Sequence, residues 1–451
     1  MRFRLTVAMI AVSVMVGVVS TAASYAHDDG KGQVSSPSMK AQQHELENVV
    51  AANANDRSNA PRSHAPCIRG MAAKTFPCDG VDMMSHLTLD DLGLSFANDI
   101  WGWTDPKTRS EYALIGGIEG TVFVDISDPK RPDVVGILPS HSNKGGRFWR
   151  DIKVYDDHAY VVSERTNHGM QVFDLTELRG VTGDPVVFPE TAHYDEFGSA
   201  HNININTDSG YAYAVGSQTC DGGLHMVDIN DPESPTFAGC VSSQGYVHDT
   251  QCVIYDGPDT AYQGREICFN SSAEFIGPTI DDIENTLSIV DVTDKDNPVA
   301  LARVFYENDG YSHQGWLTPD QGYFLHGDEL DELLRGNNTR TRIWDVRDLN
   351  DPEVIGAFDN DTTSIDHNIY TEADRAYASN YTSGLRVYDT SQVADGELSE
   401  VGFFDVYPEN DNASFEGGTW SNYPYYRQKI VAVSSMDRGL FVLKPRGSVG
   451  S

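Results

Sequence analysis

Positive charge is what this chain has least of. Its 451 residues carry 32 Lys and Arg against 67 Asp and Glu, a formal net charge of -35. A field of that sign repels phosphate backbones and anionic bilayers, which excludes nucleic acid and acidic membrane surfaces as partners. Long apolar runs are also missing beyond the N-terminal segment, so no transmembrane anchor is expected. Helical periodicity is scarce, with one short candidate around "DELDELLRG". There is no G-x-S-x-G elbow, no P-loop and no H-E-x-x-H, and none of the six cysteines stands in a C-x-x-C pair. These absences remove the common hydrolase, nucleotide and thiolate-zinc readings.

What is present starts with "MRFRLTVAMIAVSVMVGVVSTAASYAHDD". Two arginines precede an apolar run from Leu5 to Val19, and small residues follow, with Ser24 and Ala26 placed for cleavage before His27. This pattern predicts a signal peptide over 1–26 and a secreted or periplasmic mature protein. Residues 27–66 are polar and read as a disordered linker, leaving 67–451 as the folded domain. Cys67, Cys78, Cys220, Cys240, Cys252 and Cys268 suit an oxidising compartment. Nearness suggests Cys67–Cys78, with the other four pairing among themselves; sequence leaves their connectivity open.

The 40 glycines and 20 prolines indicate many turns. A phrase recurs between them: "GTVFVDISDP", "GMQVFDLTEL", "GLHMVDINDP", "TLSIVDVTDK", "TRIWDVRDLNDP", "GLRVYDTSQV" and "GLFVLKP". Each is a short alternating strand, closed in the first six by Asp125, Asp174, Asp228, Asp291, Asp345 and Asp389 and in the last by Lys444. Those aspartates are expected to cap the turns that follow. Two more strands precede each phrase and a fourth follows most of them, at the spacing of propeller blades. The fold class predicted is all-β, a seven-bladed β-propeller of four-stranded blades. The seventh unit runs out after three strands, and Met83–Gly93 is the candidate that closes the ring from the N-terminal side.

The phrases "PCDGVDMMSHLTLDDLG", "WRDIKVYDDHAYVVSE", "YVHDTQCVIYDGPD", "YSHQGWLTPDQGYFLHGDELDE", "IDHNIY" and "GTWSNYPYY" resemble the choice-of-anchor B proteins, exported bacterial proteins with LVIVD-type repeats. The resemblance covers about Cys67 to Pro445. It implies a shared propeller body with variable C-terminal attachment signals, and brings no established activity. The tail "LKPRGSVGS" has no hydrophobic stretch or sorting motif, which suggests release or periplasmic retention.

Propeller geometry then sorts the polar residues. The openings of the innermost strands read Asn98-Asp99, Arg150-Asp151, His201-Asn202, His248-Asp249, His313-Gln314, His367-Asn368 and Gly417-Gly418. Four consecutive units thus place a histidine at one repeat position, predicting an arc of His201, His248, His313 and His367 at the channel mouth. Imidazoles in such an arc suit iron, copper or zinc. Asp99, Asp151, Asn202, Asp249, Gln314 and Asn368 are candidates to orient the rings, and Arg150 to hold an anion or neutralise an aspartate. Loops on the same face add His168, His326, Asp328, Glu329, Asp331 and Glu332, and this oxygen-rich group is a candidate calcium site. The expectation is a cell-exterior binding or scaffolding module for an extracellular protein, glycan or small molecule. The alternative is a metal-dependent enzyme, redox or hydrolytic.

Overall fold

The computed structural model describes residues 62–276 and 282–450. The predicted signal peptide and most of the predicted linker lie outside the described residues. Seven antiparallel sheets follow one another along the chain. Their innermost strands are Ala97–Thr104, Arg150–Tyr155, Asn202–Asn206, Val247–Ile254, Ser312–Leu317, Asn368–Glu372 and Thr419–Tyr423. These strands pack against one another in turn, and the last contacts the first, which closes the ring. The fold is the predicted seven-bladed propeller; its blades are numbered 1 to 7 in that order.

The sequence pattern explains the layering. Inner and middle strands carry apolar residues on both faces because each is sandwiched between blades. Tyr213 and Met226 of blade 3, for example, share a core with Cys252 and Val290 of blade 4. Outer strands such as Val299–Phe305 are exposed or half-buried along their whole length. All six repeat aspartates cap their turns as expected. Each accepts the N–H two residues on: Ser127, Thr176, Asn230, Thr293, Arg347 and Ser391, at 2.8 to 3.0 Å. In blade 7 the Lys444 ammonium instead donates to the Gln428 carbonyl.

The ring closes through its N-terminal strand. Val81–Leu87 runs antiparallel to Gly439–Pro445 and completes blade 7. The strand starts ahead of the predicted segment and stops at Leu87, because Thr88 caps a short helix, Leu89–Leu92. The Thr88 hydroxyl accepts the Asp91 N–H, and Gly93 ends the helix with φ 69°. Within the predicted linker, Ala65 pairs with Met83. Phe76–Asp79 adds a further strand outside blade 6, and the disulfide Cys67–Cys78 pins this N-terminal strap. The other two bridges, Cys220–Cys240 and Cys252–Cys268, lie within blades 3 and 4. Three disulfides fit an extracytoplasmic setting. Among the described residues no helix is long and apolar enough to cross a membrane.

Val81 is fully buried in the closing strand, whereas Val187 is 68% exposed. Val81→Asp is expected to destabilise the protein by about 3 kcal/mol or more. Val187→Asp should stay within about 0.5 kcal/mol. Denaturant midpoints followed by fluorescence check both, and equal midpoints would mean that the strand does not close the ring.

Candidate functional site

The four repeat histidines do stand side by side. Ring centroids are 4.2 Å apart for His201–His248, 4.2 Å for His248–His313 and 4.3 Å for His313–His367. Three of them bond to the next blade in the same way. His248 Nδ1 lies 2.8 Å from the His313 carbonyl, His313 Nδ1 lies 3.1 Å from the His367 carbonyl, and His367 Nδ1 lies 2.5 Å from the Trp420 carbonyl. The last bond corrects the expected opening of blade 7, which is Trp420-Ser421 and not Gly417-Gly418. Gly418 lies before the strand and has φ 96°, and a Cβ there would sit 1.9 Å from the Tyr381 carbonyl oxygen. Its glycine serves a close backbone approach.

A carbonyl oxygen only accepts, so each of these three Nδ1 atoms carries the proton and each Nε2 keeps its lone pair. Burial holds all three imidazoles neutral. It pushes His248 and His313 well below the usual histidine range, helped by the neighbouring histidines, and His367 down to about 3. The carboxylate of Glu329 enters this arc from the turn after the second strand of blade 5. Its two oxygens lie 3.9 Å from His313 Nε2 and 3.9 Å from His367 Nε2. One ligand atom from each of the three residues lies within 4.8 Å of the others, and all three residues are buried. Glu329 is held by the Tyr381 hydroxyl, which donates at 2.7 Å. At the other end of the arc His201 Nδ1 meets Glu164 at 2.6 Å, and Arg147 approaches the same carboxylate at 3.7 Å. The Trp420 ring lies 4.6 Å from the His367 ring and packs against Trp149, 5.1 Å away, in an apolar cluster with Phe96 and Phe148. Two acceptor nitrogens and a carboxyl group, all buried, form a set suited to a cation.

The residues expected to orient the rings do other work. Asp99 and Asp151 accept the N–H groups of Ile152 and Ile203, at 3.3 and 2.7 Å, each in the following blade. Gln314 accepts from the Ile369 N–H at 2.9 Å and donates to the Ile369 carbonyl at 3.1 Å. Asn202 donates to the His248 carbonyl at 3.1 Å. Asn368 is buried at the head of its strand, paired with Ser379. These side chains tie blades together, and backbone carbonyls orient the rings instead. Arg150 turns away from both aspartates. It donates to the Gly117 carbonyl at 3.1 Å and to His168 Nε2 at 3.0 Å, which places His168 outside the arc. The charge partner of Asp151 is Lys153, at 2.6 Å, with Asp99 at 3.7 Å. Asp328 is no rim residue: it accepts the Gly310 and Tyr311 N–H groups and the Tyr306 hydroxyl, fixing the loop that enters blade 5. His326 lies within that blade, 3.0 Å from the Ser312 hydroxyl.

Glu164, Lys153 and the aromatic wall were missed. Glu164 had a signal: it follows "HAYVVS" as Glu329 follows "GYFLHGD", at one repeat position.

Burial and the neighbouring Asp151 push the Asp249 carboxyl up to about 7. The unfolded chain releases this proton near pH 4, the folded protein only near 7. Between those values the folded state binds more protons, so this group makes stability fall as pH rises. Asp249→Asn is expected to flatten that fall and to be the more stable form above pH 7. Unfolding midpoints at pH 4.5, 6 and 8 measure it; an unchanged slope contradicts the assignment.

No curated protein matches the chain. Residues 198–243 match the family model of the LVIVD repeat. That window holds the four strands of blade 3, Asn202–Asn206, Tyr211–Val215, Leu224–Asp228 and Thr236–Val241. The matched LVIVD repeat is therefore one blade of the seven-bladed β-propeller.

Proposed function

We propose that this is an exported propeller of the choice-of-anchor B type that binds one divalent transition ion at its channel mouth. His313 Nε2, His367 Nε2 and the Glu329 carboxylate are the ligands. The observation that carries the proposal is the facing of the two Nε2 lone pairs and the Glu329 carboxyl in a buried pocket, each nitrogen 3.9 Å from one of its oxygens. A set of two histidines and one carboxylate suits iron(II) or zinc and leaves coordination positions for water or substrate, as catalytic centres do. His201 and His248 continue the arc and line the approach to that position. The chemistry is metal-assisted oxidation or hydrolysis of a small molecule, with the apolar wall of Trp149 and Trp420 excluding water. A binding or scaffolding module is the second reading, favoured by the burial of the whole arc. It gives no account of the Glu329 carboxylate.

The mature protein loaded with iron(II) without oxygen, or with zinc, and then desalted is expected to retain about one ion per chain. His313→Ala combined with Glu329→Gln should retain less than about a tenth of that with unchanged circular dichroism. Metal-free wild-type protein, or equal retention by the variant, would overturn the proposal.

A further inference from the structure

A second group of carboxylates lies beside this centre. Asp331 and Glu332 open the short helix Asp331–Arg335 in blade 5, and Asp366 ends the loop that enters blade 6. A carboxylate oxygen from each lies within 4.8 Å of the other two. The three residues are 0%, 3% and 5% exposed. One oxygen of each, Asp331 Oδ1, Glu332 Oε2 and Asp366 Oδ1, is buried without a hydrogen-bond partner. The remaining oxygens have only modest support. Asp331 Oδ2 accepts from Arg342 at 2.8 Å, and Glu332 Oε1 accepts the Arg340 N–H at 3.1 Å. Gly327 borders the group, and a Cβ there would come within 2.3 Å of Asp366 Oδ2.

Three buried carboxylates against one buried guanidinium leave uncompensated negative charge. Shared protons or a bound cation relieve that charge. Shared protons would link these oxygens pair by pair, whereas one cation would contact all three at once. The group holds oxygen and no nitrogen or sulfur, which selects a hard ion over the transition metals of the histidine arc.

We propose that Asp331, Glu332 and Asp366 bind a calcium ion that clamps blade 5 to blade 6. The clamp has a consequence for the neighbouring centre. Asp331 lies two residues after Glu329, and Asp366 directly precedes His367. A calcium ion here fixes the two segments that carry a carboxylate and an imidazole of the arc, and so positions both.

Calcium titration of the full mature chain, stripped with EGTA, tests this by calorimetry and thermal unfolding. One calcium per chain is expected, with the melting temperature raised by about 2 °C or more at millimolar calcium. Asp366→Asn and Glu332→Gln should each weaken calcium binding by roughly 100-fold and abolish the shift. His313→Ala should keep both, which separates this site from the histidine centre. Wild-type protein that neither binds calcium nor shifts overturns the proposal. So does an Asp366→Asn variant that binds calcium as wild type does, or one that is stabilised in EGTA beside an unresponsive wild type, as shared protons would produce.

Discussion

Neighbouring blades are held together by side chains of their innermost strands that reach the backbone of the next blade. Asp151 takes the Ile203 N–H, Gln251 the Leu317 N–H and Gln314 the Ile369 N–H, at 2.7 to 2.9 Å. Inner strands leave edge groups facing the channel, and burial there without partners would cost about 1–3 kcal/mol each. The polar residues of the channel therefore answer first to the backbone. This constraint decides which of them have atoms left over for a ligand.

Histidine is suited to that double duty because its two ring nitrogens are independent. In blades 4 to 6, Nδ1 serves the neighbouring blade and thereby fixes the tautomer and the ring plane. Nε2 is then presented to the channel as a neutral donor of electrons. The tie between blades and the proposed metal-binding geometry are one arrangement seen from opposite sides of the ring, and the backbone carbonyl acts as the orienting partner that a carboxylate provides elsewhere. Asp151, Asn202 and Gln314 at the following position use their polar atoms on the neighbouring blade, which is why they add nothing to the arc. The acidic character of the chain also gains a local meaning. Its buried share concentrates where blades 5 and 6 meet, at Glu329, Asp331, Glu332 and Asp366.

The seven blades were legible because a strand of period two and an aspartate-closed turn recur together despite variable spacing, and each of the six aspartates makes the bond its position implies. The histidine arc was legible for the same reason: one repeat position recurs. What the repeat could not show is direction. Arg150 shares the position of the histidines yet turns to His168 and Gly117 in an adjoining layer. Blade 7 carries a longer entering loop, so counting placed its opening at two glycines when the equivalent residue is Trp420. Glu329 was read as one member of an acidic loop. Only folding distinguishes it from Asp328, whose carboxylate is consumed by backbone N–H groups and by the Tyr306 hydroxyl, and from Asp331 and Glu332, which face Asp366.

The central claim is that the blade-tying histidines present Nε2 to a shared metal. Anomalous diffraction at the absorption edge of the loaded ion, from crystals of the mature protein, tests it most directly. The account predicts one peak at the channel mouth, about 2.0–2.2 Å from His313 Nε2, His367 Nε2 and a Glu329 oxygen. Loaded crystals with no peak there, or with Nδ1 and not Nε2 turned to the ion, would contradict it.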